Sequence, residues 1–568
     1  MEHIFGILGN HPSSDLINYA AKLIDNSDDQ ILSRIAYENT EIITFGNGIE
    51  KTFKTNKKTH GFSFQLGEII PPKKTFIPDA NYDYSISRLS DGCFVAGYVN
   101  ELRKNISLCT DPFGLHPLYY ITDNTNIIFS SSQNLLINAS MINLTLDMTG
   151  ICQFIHFDHC LGPRTFFNEI KRFEQGVELR YNLNTDELTW HKHYQWPVVK
   201  KTIKESKEAI PLLKQALFRS IKRRVANRKN VICLLSSGYD SRTLSSILKQ
   251  LDIDFDTHTT YGDEGLLVDP MGAKLVSDAL GVSNKYYDLP ANYLENNWKE
   301  KAISINHETM MHSWLLPMAK ELPRGGFNLD GLAGDNLITT PKPVSNDYLW
   351  KLVCGEWDEM KESIFSWYWP KDSINRVLKN EFLEELNDDL HNSFMLEFKD
   401  ISESQNLYLV YILRNRIRRA IGCSPTSLLS TNVINSMPFF DKKFVEICFQ
   451  IDDRIKFRNR LYKILVDDIA PLLADIPTSH NSEWPEPFSV ERRKPYRFES
   501  PEPLQSYLDE IAKVPQLFSK YMDNEWLINA NAACLQGPEQ RAEYMKEAQA
   551  LGEVCFAINT YQSFLFSE

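Results

Sequence analysis

Val231-Ile232-Cys233-Leu234-Leu235-Ser236-Ser237-Gly238-Tyr239-Asp240-Ser241 is the stretch whose reading decides the fold. Its five apolar residues read as a buried strand, and Leu244, Ile247 and Leu248 after it share one helix face. A strand that hands small residues to a helix start builds an anion cradle. Backbone N–H groups and hydroxyls converge there, and the helix dipole adds partial positive charge. Asp240 inside such a cradle repels bare phosphate, so its carboxylate makes sense chiefly as a ligand for Mg²⁺. The Gly-x-x-x-x-Gly-Lys-Ser/Thr loop used for γ-phosphate transfer is absent from the chain. Ser/Gly turns after strands are also common as plain turn chemistry, so the reading needs a second feature.

Outward from this stretch, strands and helices alternate. Ile210, Leu213, Leu217, Ile221 and Val225 mark a helix face before it. A strand over Phe255 to Tyr261, a helix over Pro270 to Leu280, a strand at Tyr286 to Leu289 and the segment Phe327 to Leu329 follow. This pattern predicts a doubly wound parallel sheet, α/β in class, with ligands beyond the carboxyl ends of its strands. Residues 1–195 differ. Short runs at Tyr82 to Ile86, Cys93 to Val99, Ile106 to Cys109, Leu118 to Ile121 and Ile127 to Ser130 are punctuated by Asp91-Gly92, Asp111-Pro112 and Gly114. They predict an antiparallel β-sandwich with one early helix near Ser14 to Leu23. The character changes near Trp190 to Lys204, which divides a domain of residues 1–195 from one of residues 205–568. From about Trp350 the chain reads as helical, over Glu403 to Ala420, Lys442 to Phe449, Leu461 to Ile469 and Glu539 to Phe564. His480 to Pro503 reads as a long exposed loop.

A chain of 568 residues is long enough for two domains with substantial cores. Its 43% hydrophobic and 24% charged content suits a soluble globular enzyme. A net charge of −13 argues against general nucleic-acid binding. The basic run Arg414, Arg416, Arg418 and Arg419 then reads as a local surface or anion site. Ten scattered cysteines without a Cys-x-x-Cys pair indicate neither zinc nor a disulfide framework. With no membrane-length apolar run and no export signal at the N-terminus, the expected setting is the cytosol, without membrane or nucleic-acid partners.

The second feature is Asp330-Gly331-Leu332-Ala333-Gly334-Asp335-Asn336-Leu337, directly after the strand at Phe327. Two Gly-containing turns, each closing a strand of one sheet, bring Asp240 and Asp335 around one metal ion. Two unrelated Asp-Gly turns are the plain alternative; their occurrence in one α/β domain favours the site.

With these residues in place, the chain resembles the asparagine synthetase family. Ser236-Ser237-Gly238-Tyr239-Asp240-Ser241 is similar to its Ser-Gly-Gly-x-Asp-Ser loop. Asp111-Pro112-Phe113-Gly114-Leu115-His116-Pro117-Leu118-Tyr119-Tyr120 is similar to its Asp-Arg-Phe-Gly-x-x-Pro-Leu-Tyr-Tyr. Ile4 to Ile7, Thr260-Tyr261-Gly262 and Met437-Pro438-Phe439-Phe440-Asp441 also fit in order and spacing. The resemblance implies a glutaminase-like, Ntn-hydrolase-like N-terminal domain followed by an ATP-pyrophosphatase domain with a helical C-terminal elaboration. It implies that Leu235, Ser236, Ser237, Gly238, Asp240, Ser241, Tyr261, Gly262 and Gly331 bind ATP and pyrophosphate. Asp240 and Asp335 would hold Mg²⁺, and Lys463 would offset charge in adenylation.

Departures from the family refine the expectation. Glutaminases of this kind use a cysteine at position 2, where this chain carries Glu2, and a carboxylate does not replace a thiolate nucleophile. The N-terminal domain is therefore expected to lack glutaminase activity. Ser237 replaces a loop glycine, Leu332 stands where these enzymes carry Glu, Asn336 replaces another acid, and Val466 replaces an arginine. The implied activity is an AMP-forming, amide-forming ligase that works through an acyl-adenylate without hydrolysing glutamine. Its substrate, a small molecule or peptide, carries a carboxylate and an amine. The relatives it most resembles in spirit are lasso-peptide cyclases and β-lactam synthetases, with a macrolactam cyclase, its precursor peptide and a processing protease as the specific version. Asparagine synthesis from ammonia and a non-catalytic nucleotide-binding scaffold are the alternatives.

Overall fold

The computed structural model describes residues 2–9, 14–27, 29–37, 40–48, 53–56, 61–70, 90–100, 104–122, 126–261, 268–340, 350–351, 354–367, 372–401, 404–478 and 496–566. The N-terminal strands are β1 (His3–Leu8), β2 (Gln30–Tyr37), β3 (Thr40–Gly46), β4 (Phe53–Asn56), β5 (Gly61–Ile70) and β6 (Asp91–Asn100). They continue with β7 (Asn105–Thr110), β8 (Tyr119–Thr122), β9 (Ile127–Ser130), β10 (Lys171–Arg172), β11 (Val177–Asn182) and β12 (Glu187–Lys192). Two six-stranded antiparallel sheets result, ordered β10-β8-β9-β1-β3-β2 and β12-β11-β7-β6-β5-β4. Ile4 and Leu8 of β1 pack against Leu66, Val95 and Leu108 of the second sheet. Phe5 and Ile7 point the other way, into the cluster that holds Ile17, Ala20 and Ile24 of the helix Ser14–Asp25. Burial on both faces is why β1 is continuously apolar rather than alternating.

Five parallel strands follow: β13 (Val231–Leu234), β14 (Phe255–Thr260), β15 (Asn284–Tyr287), β16 (Gly326–Leu329) and β17 (Val433–Ser436). Their order, β15-β14-β13-β16-β17, reverses direction between β13 and β16. That junction is the topological switch point, where α/β sheets open a crevice beyond their strand ends. Register aligns Val231 with Phe327 and Cys233 with Leu329, so the two strands finish side by side.

The class is thus mixed: antiparallel sheets, then a parallel sheet, then helices. The strand at Asn284–Tyr287 lies two residues earlier than the apolar pattern suggested, and β17 carries no period-2 signal in Val433-Ile434-Asn435-Ser436. Within Glu403 to Ala420 the α-helix covers Leu407–Ile412 only. A π-helix over Leu413–Ile421 continues it. Tyr82 to Ile86 and most of His480 to Pro503 lie outside the described residues. The last part of that second segment is helical, over Tyr496–Glu499 and from Glu502 onward, rather than loop. None of the ten cysteines forms a disulfide. Among the described residues no helix is long and apolar enough to cross a membrane.

The basic run is not a surface site as a whole. Arg414, Arg418 and Arg419 are buried, and the last two join the domains. Arg419 and Arg172 both donate to Glu308 Oε2, Arg172 at 3.0 Å, while Tyr119 donates to Oε1. Arg418 Nε donates to the Gly114 carbonyl at 3.1 Å. The loop carrying Glu308 is further clamped from the N-terminal domain. The Gln133 amide N–H donates to Asn306 Oδ1 at 2.7 Å, and Asp158 Oδ1 accepts the Met310 N–H at 2.9 Å.

Burial alone would raise the Glu308 carboxyl, but Arg172 and Arg419 outweigh it and hold the group below its ordinary value. A depressed carboxylate contributes stability above its unfolded pKa, and the contribution disappears as pH falls through the folded value. Glu308→Ala leaves two buried guanidinium groups unpaired and is expected to cost about 3–5 kcal/mol. Chemical denaturation at pH 7 should show the loss, and the gap to the native chain should narrow in acid below the ordinary carboxylate range.

Candidate functional site

At the switch point lies a cavity of about 720 Å³. One side is polar. Leu235, Ser236, Asp240 and Ser241 enter it from the turn after β13, and Asp330, Gly331, Leu332 and Asp335 from the turn after β16. Helix Tyr239–Gln250 begins at Gly238 without a side-chain cap, and Asp240 in its first turn brings a carboxylate to the cavity at that positive end. Hydroxyls brace the turn: the Ser236 N–H donates to Ser241 Oγ at 3.1 Å, and the Gly238 N–H to Ser236 Oγ at 3.1 Å. From behind, Arg242 donates to the Ser237 carbonyl at 2.8 Å and to the Pro477 carbonyl at 2.9 Å.

Asp240 and Asp335, 95 positions apart by their numbers, meet here. The Asp335 backbone N–H donates to the Asp240 carboxylate. Tyr462 donates its phenol proton to Asp240 Oδ1 at 2.6 Å. Burial first, then repulsion from Asp335 and Asp330, pushes the Asp240 carboxyl well above its ordinary value. Burial likewise raises Asp330 to about 6. Two neighbouring carboxylates at the mouth of an anion cradle carry charge that a hard divalent cation offsets, and their oxygen donors fit magnesium. Among the described residues no cluster of three or more His, Cys, Asp or Glu side chains is arranged to hold a metal by itself. The remaining ligands to such an ion would come from phosphate and water.

Four of the predicted site residues do not line the cavity. Ser237 does not face the cavity: its N–H and hydroxyl both donate to Asp269 Oδ1, at 3.1 and 2.7 Å. Asp269 itself lines the cavity and was not singled out from sequence, since it follows no turn motif. Lys463, to which the resemblance gives a charge-offsetting role, is not brought to the cavity. It is not among the lining residues, its side chain is 55% exposed, and it pairs with Asp467 at 2.6 Å. Neighbouring residues on an α-helix are rotated by about 100°, and here Tyr462 holds the inward position. Tyr261 and Gly238 lie outside the lining set, and Gly262 outside the described residues.

The other side of the cavity is largely apolar. Trp314, Leu315 and Met318 face Ile412, Ile417 and Ile421, with Arg416 among them. His312 and His258 also reach it. Burial holds His258 below its ordinary value, and burial, then nearby Lys301 and Arg416, push His312 down to about 4. His307 lies elsewhere, against Phe166, Phe556 and Tyr561.

Residues 83–195 match the family profile described as a glutamine amidotransferase domain, and residues 212–474 the one described as asparagine synthase. The chain is 21% identical over 405 residues to glutamine-hydrolyzing asparagine synthetase 1 of Bacillus subtilis (strain 168), covering 63% of this chain and 61% of that one. It is 26% identical over 194 residues to putative glutamine-hydrolyzing asparagine synthetase 2 of Methanocaldococcus jannaschii, covering 33% of this chain and 37% of that one. The chain thus spans under two thirds of the length of both relatives. Glutamine phosphoribosylpyrophosphate amidotransferase from B. subtilis, solved with ADP and GMP, aligns with a TM-score of 0.23 and 8% identity. That alignment covers 50% of this chain and 91% of the other.

Gly331 and Gly334 are where the turn presses on Asp240. A Cβ on Gly334 would stand 2.5 Å from Asp240 Oδ1, and one on Gly331 2.8 Å from Asp240 Cβ. Gly334→Ala is expected to lower stability by about 1–3 kcal/mol through overpacking. Calorimetric titration with magnesium and ATP should show weakened binding in the same variant, because Asp240 has to move.

Proposed function

We propose, from the premise that this chain belongs to the asparagine synthetase-like family, that it is an ATP-dependent carbon–nitrogen ligase. In this reading it adenylates a carboxylate and joins it to an amine without hydrolysing glutamine. The observation that carries the reading is the meeting of Asp240 and Asp335 at the β13/β16 switch point, beside an uncapped helix start.

The substrate carboxylate oxygen attacks the α-phosphorus of ATP, and the bond from that phosphorus to the bridging oxygen breaks to release pyrophosphate. The amine nitrogen then attacks the acyl carbon, loses a proton, and the bond to AMP breaks. Ser236 and Ser241 hydroxyls and the first N–H groups of helix Tyr239–Gln250 hold the departing pyrophosphate. Asp240 and Asp335 would hold Mg²⁺, which supplies positive charge to the phosphates. Tyr462 fixes the orientation of Asp240 through its hydrogen bond.

Leu332 places an apolar side chain in the cavity where asparagine synthetases carry Glu, which supports a substrate other than free ammonia. The second pocket, around Glu2, Gly67, Cys93 and His116, holds only about 30 Å³, closed from the synthetase side by Pro425, Thr426 and Met437. That space admits little more than one water, which supports a glutaminase-like domain that is structural here. An amide closed within one peptide, a macrolactam, is the specific version of this reading. A precursor peptide and its processing protease would then be the partners, and the cytosol the setting.

Exchange of labelled pyrophosphate into ATP, measured across a panel of carboxylic acids and peptides, tests the reading. Some acid should support exchange, and Asp240→Asn should lower it about a hundredfold or more. Lys463→Ala should leave the rate within about twofold, because an exposed i,i+4 ion pair contributes little. Silence across the panel would favour the scaffold; aspartate converted to asparagine with ammonia would favour the synthase. Added glutamine should release no glutamate.

A further inference from the structure

The two halves of the cavity are built from different chemistry. The half beyond β13 and β16 is acidic and hydroxylated. The half formed by the helical region is apolar, with Ile412, Ile417, Ile421, Trp314, Leu315 and Met318 around it. One cation stands in that apolar wall. Among the described lining residues Arg416 alone is permanently positive, because His258 and His312 are held neutral.

The π-helix explains its position. Arg416 stands two residues from both Arg414 and Arg418, roughly opposite them on the helix. Arg414 binds Asp400 in two hydrogen bonds of 2.9 and 2.8 Å, and Arg418 and Arg419 bind across the domain interface. Arg416 is partly buried, and no hydrogen bond or ion pair within the described structure claims its guanidinium. A guanidinium that lines an apolar wall and makes no hydrogen bond of its own among the described residues offers a carboxylate two parallel donors.

The anion does not belong to the phosphates. Arg416 acts electrostatically on Asp158, His159 and His312. The charges that act on Asp240 are Asp335 and Asp330. Arg416 stands on the helical wall with Ile417 and Ile421, not in the turns after β13 and β16 that carry the cradle.

We propose that the acid used here is an amino-acid or peptide derivative with an apolar side chain and a second carboxylate, the apolar group lying against Ile417 and Ile421 and the second carboxylate pairing with Arg416. This rests on the ligase reading for the reacting carboxylate, but not for the binding. The apolar wall disfavours free aspartate, which would leave it uncovered.

Calorimetric titration of the full chain, saturated with magnesium and α,β-methylene-ATP, tests it with three probes. These are N-acetyl-leucyl-aspartate, its α-carboxamide and N-acetyl-glycyl-aspartate. The leucyl acid should bind about tenfold or more tightly than either of the others. In Arg416→Gln the leucyl acid and its carboxamide should bind equally, while the preference for leucyl over glycyl is retained. That ratio within one variant does not depend on its overall stability. Equal loss for acid and carboxamide, or weakened binding of the ATP analogue, would overturn the pairing with Arg416. Aspartate binding as tightly as the leucyl acid would overturn the apolar subsite. Pyrophosphate exchange, run in parallel with ATP, separates the two readings. Arg416-dependent binding without exchange upholds the subsite and defeats the ligase; exchange with aspartate and no leucyl preference does the reverse.

Discussion

The site depends on one close approach, the carboxylate of Asp240 lying against the turn that follows β16. Two strands adjacent at the switch point end at the same level, and their following turns must share one small volume. Glycine at 331 and 334 makes room for the Asp240 side chain. Neither glycine is needed for its φ. The left-handed residue of that turn is Ala333, at φ 68°. An alanine there accepts backbone strain, of order 1 kcal/mol, while the glycines are kept where a Cβ would strike the carboxylate. Conformational freedom was thus given up in favour of space, which is intelligible only if the position of Asp240 matters more than the ease of the turn.

Much of this was legible in the sequence, and the reason is specific. Apolar runs that end in small residues at Ser236 and Gly331 carry both the strand and its turn, so two turns closing strands of one sheet pointed to Asp240 and Asp335 meeting. What misled was angular. In Arg460-Leu461-Tyr462-Lys463-Ile464 the residue that looks catalytic by chemistry points to solvent, and the tyrosine beside it points in. Motif matching without fixed helix phase tolerates a slip of one residue; a helix does not. Ser237 turns to Asp269 for a related reason, because a loop hydroxyl can face either side and only Asp269, brought in from a distant helix, decides which.

The π-helix is the part least visible in advance. Nothing in Leu413 to Ile421 separates five-residue winding from ordinary helix by composition, because the winding is imposed by what the side chains must reach. Glu308, reached from the N-terminal domain by Arg172 and Tyr119, fixes Arg419; the Gly114 carbonyl fixes Arg418; Asp400 fixes Arg414. Three buried arginines on one short helix, each with a fixed partner, leave the segment little freedom to relax to α geometry.

It follows that the N-terminal domain acts on the cavity through structure. It holds the Glu308 loop, the loop holds the π-helix, and the π-helix carries the apolar wall. The acidic half owes its geometry to the parallel sheet, whose strands β13 and β16 set the two turns side by side. The other half owes its geometry to a helical segment braced by a neighbouring domain. That division gives a physical reason for the amidotransferase-like domain beside the cavity: its loss would release the apolar wall that Arg418 and Arg419 tie to it.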